Sequence, residues 1–219
     1  MRMEPNYEKA ATKATETLIK YGISTAPVDP LPIFKRTPGV LVLSFSEFSG
    51  TLGIDRENLV TMFGVENQDA VTSVKVENGK LHYIVAYNQR LPLYMLQRAL
   101  ARELGHIILG HDGSLPEDVR MEEARCFACH FLCPRALVHA LADERLTVEA
   151  VGSVTGCYER SMNIIRRLPG VHVPAELNRA VRDNFSEYIA NFKNYQSILS
   201  AQDTSPLADF GSYMDGYEE

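Results

Sequence analysis

The sequence predicts an α-rich α+β domain, and three observations carry that expectation. Two β-prone runs flank Asn78-Gly79, a hairpin signal. Two segments with helical periodicity, near 93–109 and 116–133, follow the hairpin. Beyond Pro134 every patterned stretch is helical, which gives a C-terminal helical extension.

The 219 residues fit one domain, and 45% hydrophobic with 23% charged residues is ample for a packed core. A formal charge of −6, from 28 acidic against 22 basic residues, argues against a nucleic-acid surface as the main partner. No apolar run approaches the ~20 residues of a membrane span, and the N-terminus lacks a signal-peptide core. A cytoplasmic setting is expected, with Cys126, Cys129, Cys133 and Cys157 as free thiols.

Residues 6–21 form the first helix, with Ala10, Ala14, Thr17, Leu18 and Tyr21 on one side, and Gly22 ends it. Ala26-Pro27-Val28-Asp29-Pro30-Leu31-Pro32 reads as extended, because each proline pushes the residue before it out of the helical region. Residues 40–45 are an apolar run rich in β-formers and read as a strand, and Asp55 caps a short helix to residue 63. The hairpin pairs 71–77 with 80–87, where Leu81, Tyr83, Val85 and Tyr87 alternate with His82, Ile84 and Ala86. Pro92 opens the next helix, where its missing N–H costs nothing, and residues 110–113 break it. Helices follow over 116–133, 134–143, 147–154, 158–168 and 174–199. Residues 200–219 carry Asp203, Asp209, Asp215, Glu218 and Glu219 without Lys or Arg, the composition of a disordered tail. The expected division is a domain over 1–143, a helical extension over 144–199 and the acidic tail.

The chemistry concentrates in the helix after the hairpin. Leu93, Leu96, Leu100, Leu104 and Ile107 make its apolar stripe, and Arg102, Glu103 and His106 lie off it. Positions 102 and 106 stand one turn above each other. That is the geometry of the zincin helix H-E-x-x-H, in which two His bind zinc and the Glu between them is the general base. Here the string is Arg102-Glu103-Leu104-Gly105-His106. On the following helix Glu123 precedes the small Ala124, which lets two helices approach, and Glu123 can close a site with His106 and leave a position for water. Taken singly, each has a bland explanation: a helix Glu is usually just solvated, and E-x-x-H arises often by chance.

Taken together, Ala101-Arg102-Glu103-Leu104-Gly105-His106-Ile107-Ile108-Leu109-Gly110-His111 and Glu123-Ala124-Arg125-Cys126-Phe127-Ala128-Cys129-His130-Phe131-Leu132-Cys133-Pro134 resemble the ImmA/IrrE family of metallo-endopeptidases. The family outline is H-E-L-G-H-x-x-L-G-H, then E-A-N-x-F-A-A-E-L-L-M-P. The resemblance implies a zincin-like α+β fold with a small antiparallel sheet, Zn2+, and hydrolysis of a protein or peptide, often a repressor of a phage or mobile element. It implies Glu103 as general base, His106 as second zinc ligand and Glu123 as third. Arg102 falls at the first ligand, where a protonated guanidinium has no lone pair to give. Its charge at ~4 Å from Zn2+ adds at least about 4 kcal/mol of repulsion at an effective dielectric of 20. At ~1.4 kcal/mol per tenfold, that weakens binding about a thousandfold before the lost ligand is counted. Arg125 and His130 also depart from the family's Asn and Glu.

Two outcomes stay open. Zinc survives with a substitute ligand from His130, His111 or Cys126, or Arg102 pairs with Glu103 or Glu123 in place of the metal and leaves a pseudopeptidase that binds without cutting. The second is simpler. Cys126-Phe127-Ala128-Cys129-His130 spells a haem-attachment string, but inside a helix of an unexported chain, so core cysteines are the better explanation. Ligands on one continuous helix cannot readily surround an ion, which also disfavours a soft-metal cluster there. His82, His139 and His172 read as structural or exposed. Residues 147–168, with Arg160, Arg166 and Arg167, have a helix-turn-helix shape; a packing pair is the simpler reading beside a DNA-binding regulator.

Overall fold

A computed structural model describes residues 3–53, 69–77, 79–141 and 171–201. Helix α1 (Tyr7–Lys20) begins where the Asn6 side chain accepts the Lys9 amide and ends at Tyr21, with Gly22 at φ 62°. Helix α2 (Leu31–Arg36) corrects the extended reading at residues 31 and 32, while 26–30 lie in no helix. Pro30 is its N-cap and Pro32 lies in its first turn, where an amide has no helical partner to lose. The run 40–45 divides into β1 (Val40–Ser44) and α3 (Phe45–Leu52). Ser44 accepts the Glu47 amide while Glu47 accepts the Ser44 amide, a reciprocal cap that turns Phe45 into helix. The helix expected over 55–63 lies outside the described residues.

Strands β2 (Ala70–Glu77) and β3 (Lys80–Tyr87) form the antiparallel hairpin, with Glu77 opposite Lys80 and Ala70 opposite Tyr87. β1 adds on the far side of β3 in parallel, Val40 opposite Tyr83. The sheet is therefore mixed, in the order β1-β3-β2: the hairpin supplies the antiparallel pairing that the sequence predicts, and β1 adds a parallel one. The long connection from β1 to the hairpin leaves room for the crossover a parallel neighbour requires. Tyr83 and Val85 face the core, whereas Leu41 and Ile84 are exposed on the opposite face.

Helices α4 (Leu93–Leu109), α5 (Glu117–Leu132) and α6 (Arg135–Leu141) follow. The expected helix 174–199 is two, α7 (Ala175–Asn184) and α8 (Ser186–Ala201), separated by the fully buried Phe185 at φ −90°, ψ 9°. One residue out of register barely disturbs the apolar period, so the pattern hides the break. The main core joins Ala10, Ala14 and Leu18 of α1, Leu100 and Leu104 of α4, Phe127 and Phe131 of α5, and Val181 beside Phe185. Each large side chain buried there contributes about 1.5–3 kcal/mol. No described helix is long and apolar enough to cross a membrane. Residues 147–168 and the acidic tail 202–219 lie outside the described residues.

Candidate functional site

The site sits where α4 crosses α5. Gly105 makes the crossing close: a Cβ there would lie 3.1 Å from Phe127 Cδ1 and 3.2 Å from the Ala124 carbonyl oxygen. Small residues on both helices thus bring the polar flank of α4, with His106, up to Glu123 on α5.

What lies between His106 and Glu123 is an imidazole. Gly110, at φ 72°, ends α4 in the left-handed conformation, and its amide reaches the carbonyls of His106 and Ile107. The His111 amide bonds the His106 carbonyl at 2.9 Å, which completes a Schellman turn and folds His111 back over the helix end. His111 Nδ1 then lies 2.9 Å from His106 Nδ1, and His111 Nε2 lies 3.0 Å from Glu123 Oε2. The other Glu123 oxygen, Oε1, accepts the Asn6 backbone N–H at 2.7 Å. With Glu123 ionised, His111 donates from Nε2, and a neutral ring then accepts at Nδ1 from His106 Nδ1–H. Burial, then His111, Arg102 and Arg120, push the His106 pKa down to about 3. Burial also lowers His111, against the bond to Glu123, which favours its charged form.

Arg102 turns the other way, toward the sheet. Its Nε and Nη2 donate to Glu103 Oε1 at 3.0 and 2.9 Å, and Nη2 also reaches the Ala70 carbonyl at 3.3 Å. The Thr72 backbone N–H also favours the charged form of Glu103. The Thr72 hydroxyl faces the same carboxylate and favours its charge, but its buried oxygen falls short of a hydrogen bond. Burial raises the Glu103 pKa, and Arg102 opposes that rise. Of the two partners considered for Arg102, the one engaged is Glu103.

The remaining candidates stay apart from this arrangement. Cys126 donates its thiol to the Tyr7 carbonyl at 3.6 Å, and burial pushes its pKa up to about 12. His130 is buried, its pKa lowered to about 4 by burial, and its Nε2 has no hydrogen-bond partner among the described residues. Arg125 pairs with Glu122 at 2.6 Å on the solvent side of α5. No disulfide joins the three described cysteines. Asn6, Ala70 and Thr72 gave no sign in the sequence of belonging here, because each contributes only through its backbone or from a distant element.

This donor set does not fit a zinc ion. His111 presents opposite ring nitrogens to His106 and Glu123, so the three groups stand in a row and not around one point. Among the described residues no group of three or more His, Cys, Asp or Glu is arranged to hold a metal. The family model of the IrrE N-terminal-like domain, Peptidase_M78, nonetheless matches residues 56–167, just over half of the chain. No curated protein and no solved structure matches it. The paired motif helices, their close crossing and that match together place the chain in the Peptidase_M78 (IrrE N-terminal-like) metallopeptidase family.

Proposed function

We propose that this chain is a family member with a degenerate metal site, which binds a protein partner in the peptidase groove without zinc-assisted cleavage. The observation that carries the reading is His111 inserted between His106 and Glu123 with both of its nitrogens engaged. The Arg102–Glu103 pair supports it, since a carboxylate tied to a guanidinium is a poor acceptor for a water proton. The partner class is an extended segment of a regulatory protein, and a repressor of a phage or mobile element is the candidate the family resemblance supplies. The domain over 1–143 would hold the groove, and the setting would be the cytoplasm.

A second reading rests on the closeness of the same groups. If the His111 ring turned so that one nitrogen faced inward, His106, His111 and Glu123 would supply two imidazoles and a carboxylate, a known zinc set. Metal analysis of protein purified without added zinc separates the two. The binding reading expects well under one zinc per chain with no gain on supplementation, and a rise in Arg102→His. A full equivalent that disappears in His111→Ala would overturn it in favour of the substituted centre. A DNA-binding role through 147–168 would show as salt-sensitive binding lost on changing Arg166 and Arg167.

A further inference from the structure

The sheet edge nearest the motif helix is not open. In a hairpin closed by a two-residue turn, with Glu77 opposite Lys80, the odd-numbered residues of β2 exchange hydrogen bonds with β3. The amides and carbonyls of Ala70, Thr72 and Val74 therefore point away from β3, along an edge with which no described strand pairs. A residue in a parallel neighbouring strand would donate to the carbonyl of residue 70 and accept from the amide of residue 72. β3 uses this pattern on β1, where the Tyr83 amide donates to the Gly39 carbonyl. On β2 the donor to the Ala70 carbonyl is Arg102 Nη2, at 3.3 Å, and the carboxylate beside the Thr72 amide is that of Glu103, whose charge this N–H favours.

We propose that the Arg102–Glu103 pair is an edge cap, which stands in for one residue of a fourth, parallel strand and closes the motif end of β2 to an extended chain. Unpaired strand edges are templates for other chains, and a fixed donor and acceptor placed on one removes that opportunity. The largely buried ion pair has a geometric task here that an ordinary surface pair lacks: Arg102 and Glu103 are adjacent in sequence and bond each other beside the strand. An incoming strand is confined to the edge beginning at Val74, which is 37% exposed. This deepens the binding reading by excluding part of the groove, yet it stands apart from metal content. Failure of the zinc measurement and failure of the cap would thus be told apart.

Amide hydrogen exchange of the full chain, resolved by residue, tests it. Thr72 and Val74 point from the same edge, so the cap predicts Thr72 protected about tenfold or more over Val74 after correction for intrinsic rates. Glu103→Leu, which keeps the bulk but removes the acceptor, should abolish that difference. Glu103→Gln, whose side-chain oxygen still accepts, should keep most of it and lacks any capacity as a base. The Val71 and Ser73 amides, bonded to β3, report whether the strand remains folded. Thr72 exchanging as fast as Val74 in the wild type, or protection surviving in Glu103→Leu, would overturn the cap; the wild-type comparison decides alone if that variant does not fold.

Discussion

Two regions of the same helix pair behave differently. At the apolar crossing, Gly105, Ala124 and Phe127 leave no room for a further side-chain atom without a neighbour giving way. One turn away, the polar groups are held by hydrogen bonds within the protein: Arg102 to Glu103 and β2, and His106, His111 and Glu123 to one another and to Asn6. The contrast teaches that scaffold and chemistry are separable. The crossing stands on steric fit alone, whereas a polar cluster must satisfy its hydrogen bonds with whatever is at hand.

The largest effect is expected at Glu123, because both of its oxygens are engaged in a buried setting. Glu123→Ala should cost about 3 kcal/mol by denaturant midpoint, from two hydrogen bonds to a charged group. A cost below about 1 kcal/mol would mean the row does not hold the fold. Next comes Arg102→Ala, which strands a buried carboxylate and should cost about 2–3 kcal/mol near neutral pH, with recovery in the Arg102→Ala, Glu103→Leu double variant. Absence of coupling in that cycle would break the view that the two act as one unit.

Gly105→Ala probes the other side of the comparison. Overpacking of about 1–3 kcal/mol opposes a helix-propensity gain of about 1 kcal/mol, so a net loss near 1 kcal/mol is expected because one of the crowding atoms is backbone. Stabilisation there would show that the crossing has slack.

The smallest effect concerns His130. Its folded pKa, about 4, lies below the ordinary value, so the unfolded chain binds its proton first and stability is lost as pH falls from about 6.5 toward 4. His130→Leu should flatten that part of the acid-unfolding curve and be neutral or slightly stabilising at pH 7, since it removes a buried nitrogen without a partner among the described residues.

Local chemistry explains what was legible beforehand. The hairpin, α1, α4 and α5 announce themselves by turn residues and period, and the Glu123-Ala124 step signalled the close crossing. α3 was missed although Ser44-Phe45-Ser46-Glu47 spells its cap, because the β-prone run before it dominated. The parallel placement of β1 depends on residues some forty positions away and leaves no local mark. From sequence the Arg102–Glu103 pair reads only as a stand-in for zinc, because adjacent residues do not share a helix face; β2 supplies the surface beside which they meet. The sequence offers His111 as a residue able to swing in, but only the turn at Gly110 shows that its ring separates the other two groups.

The amide of Asn6 on Glu123 has a practical consequence for anyone handling the protein. A purification tag fused ahead of residue 1 would begin only a few residues from the buried carboxylate. Histidines in such a tag would bring foreign metal donors beside the pocket whose metal content is in question. Zinc assays are therefore better run on protein tagged at the opposite end, or after the leader has been cut away.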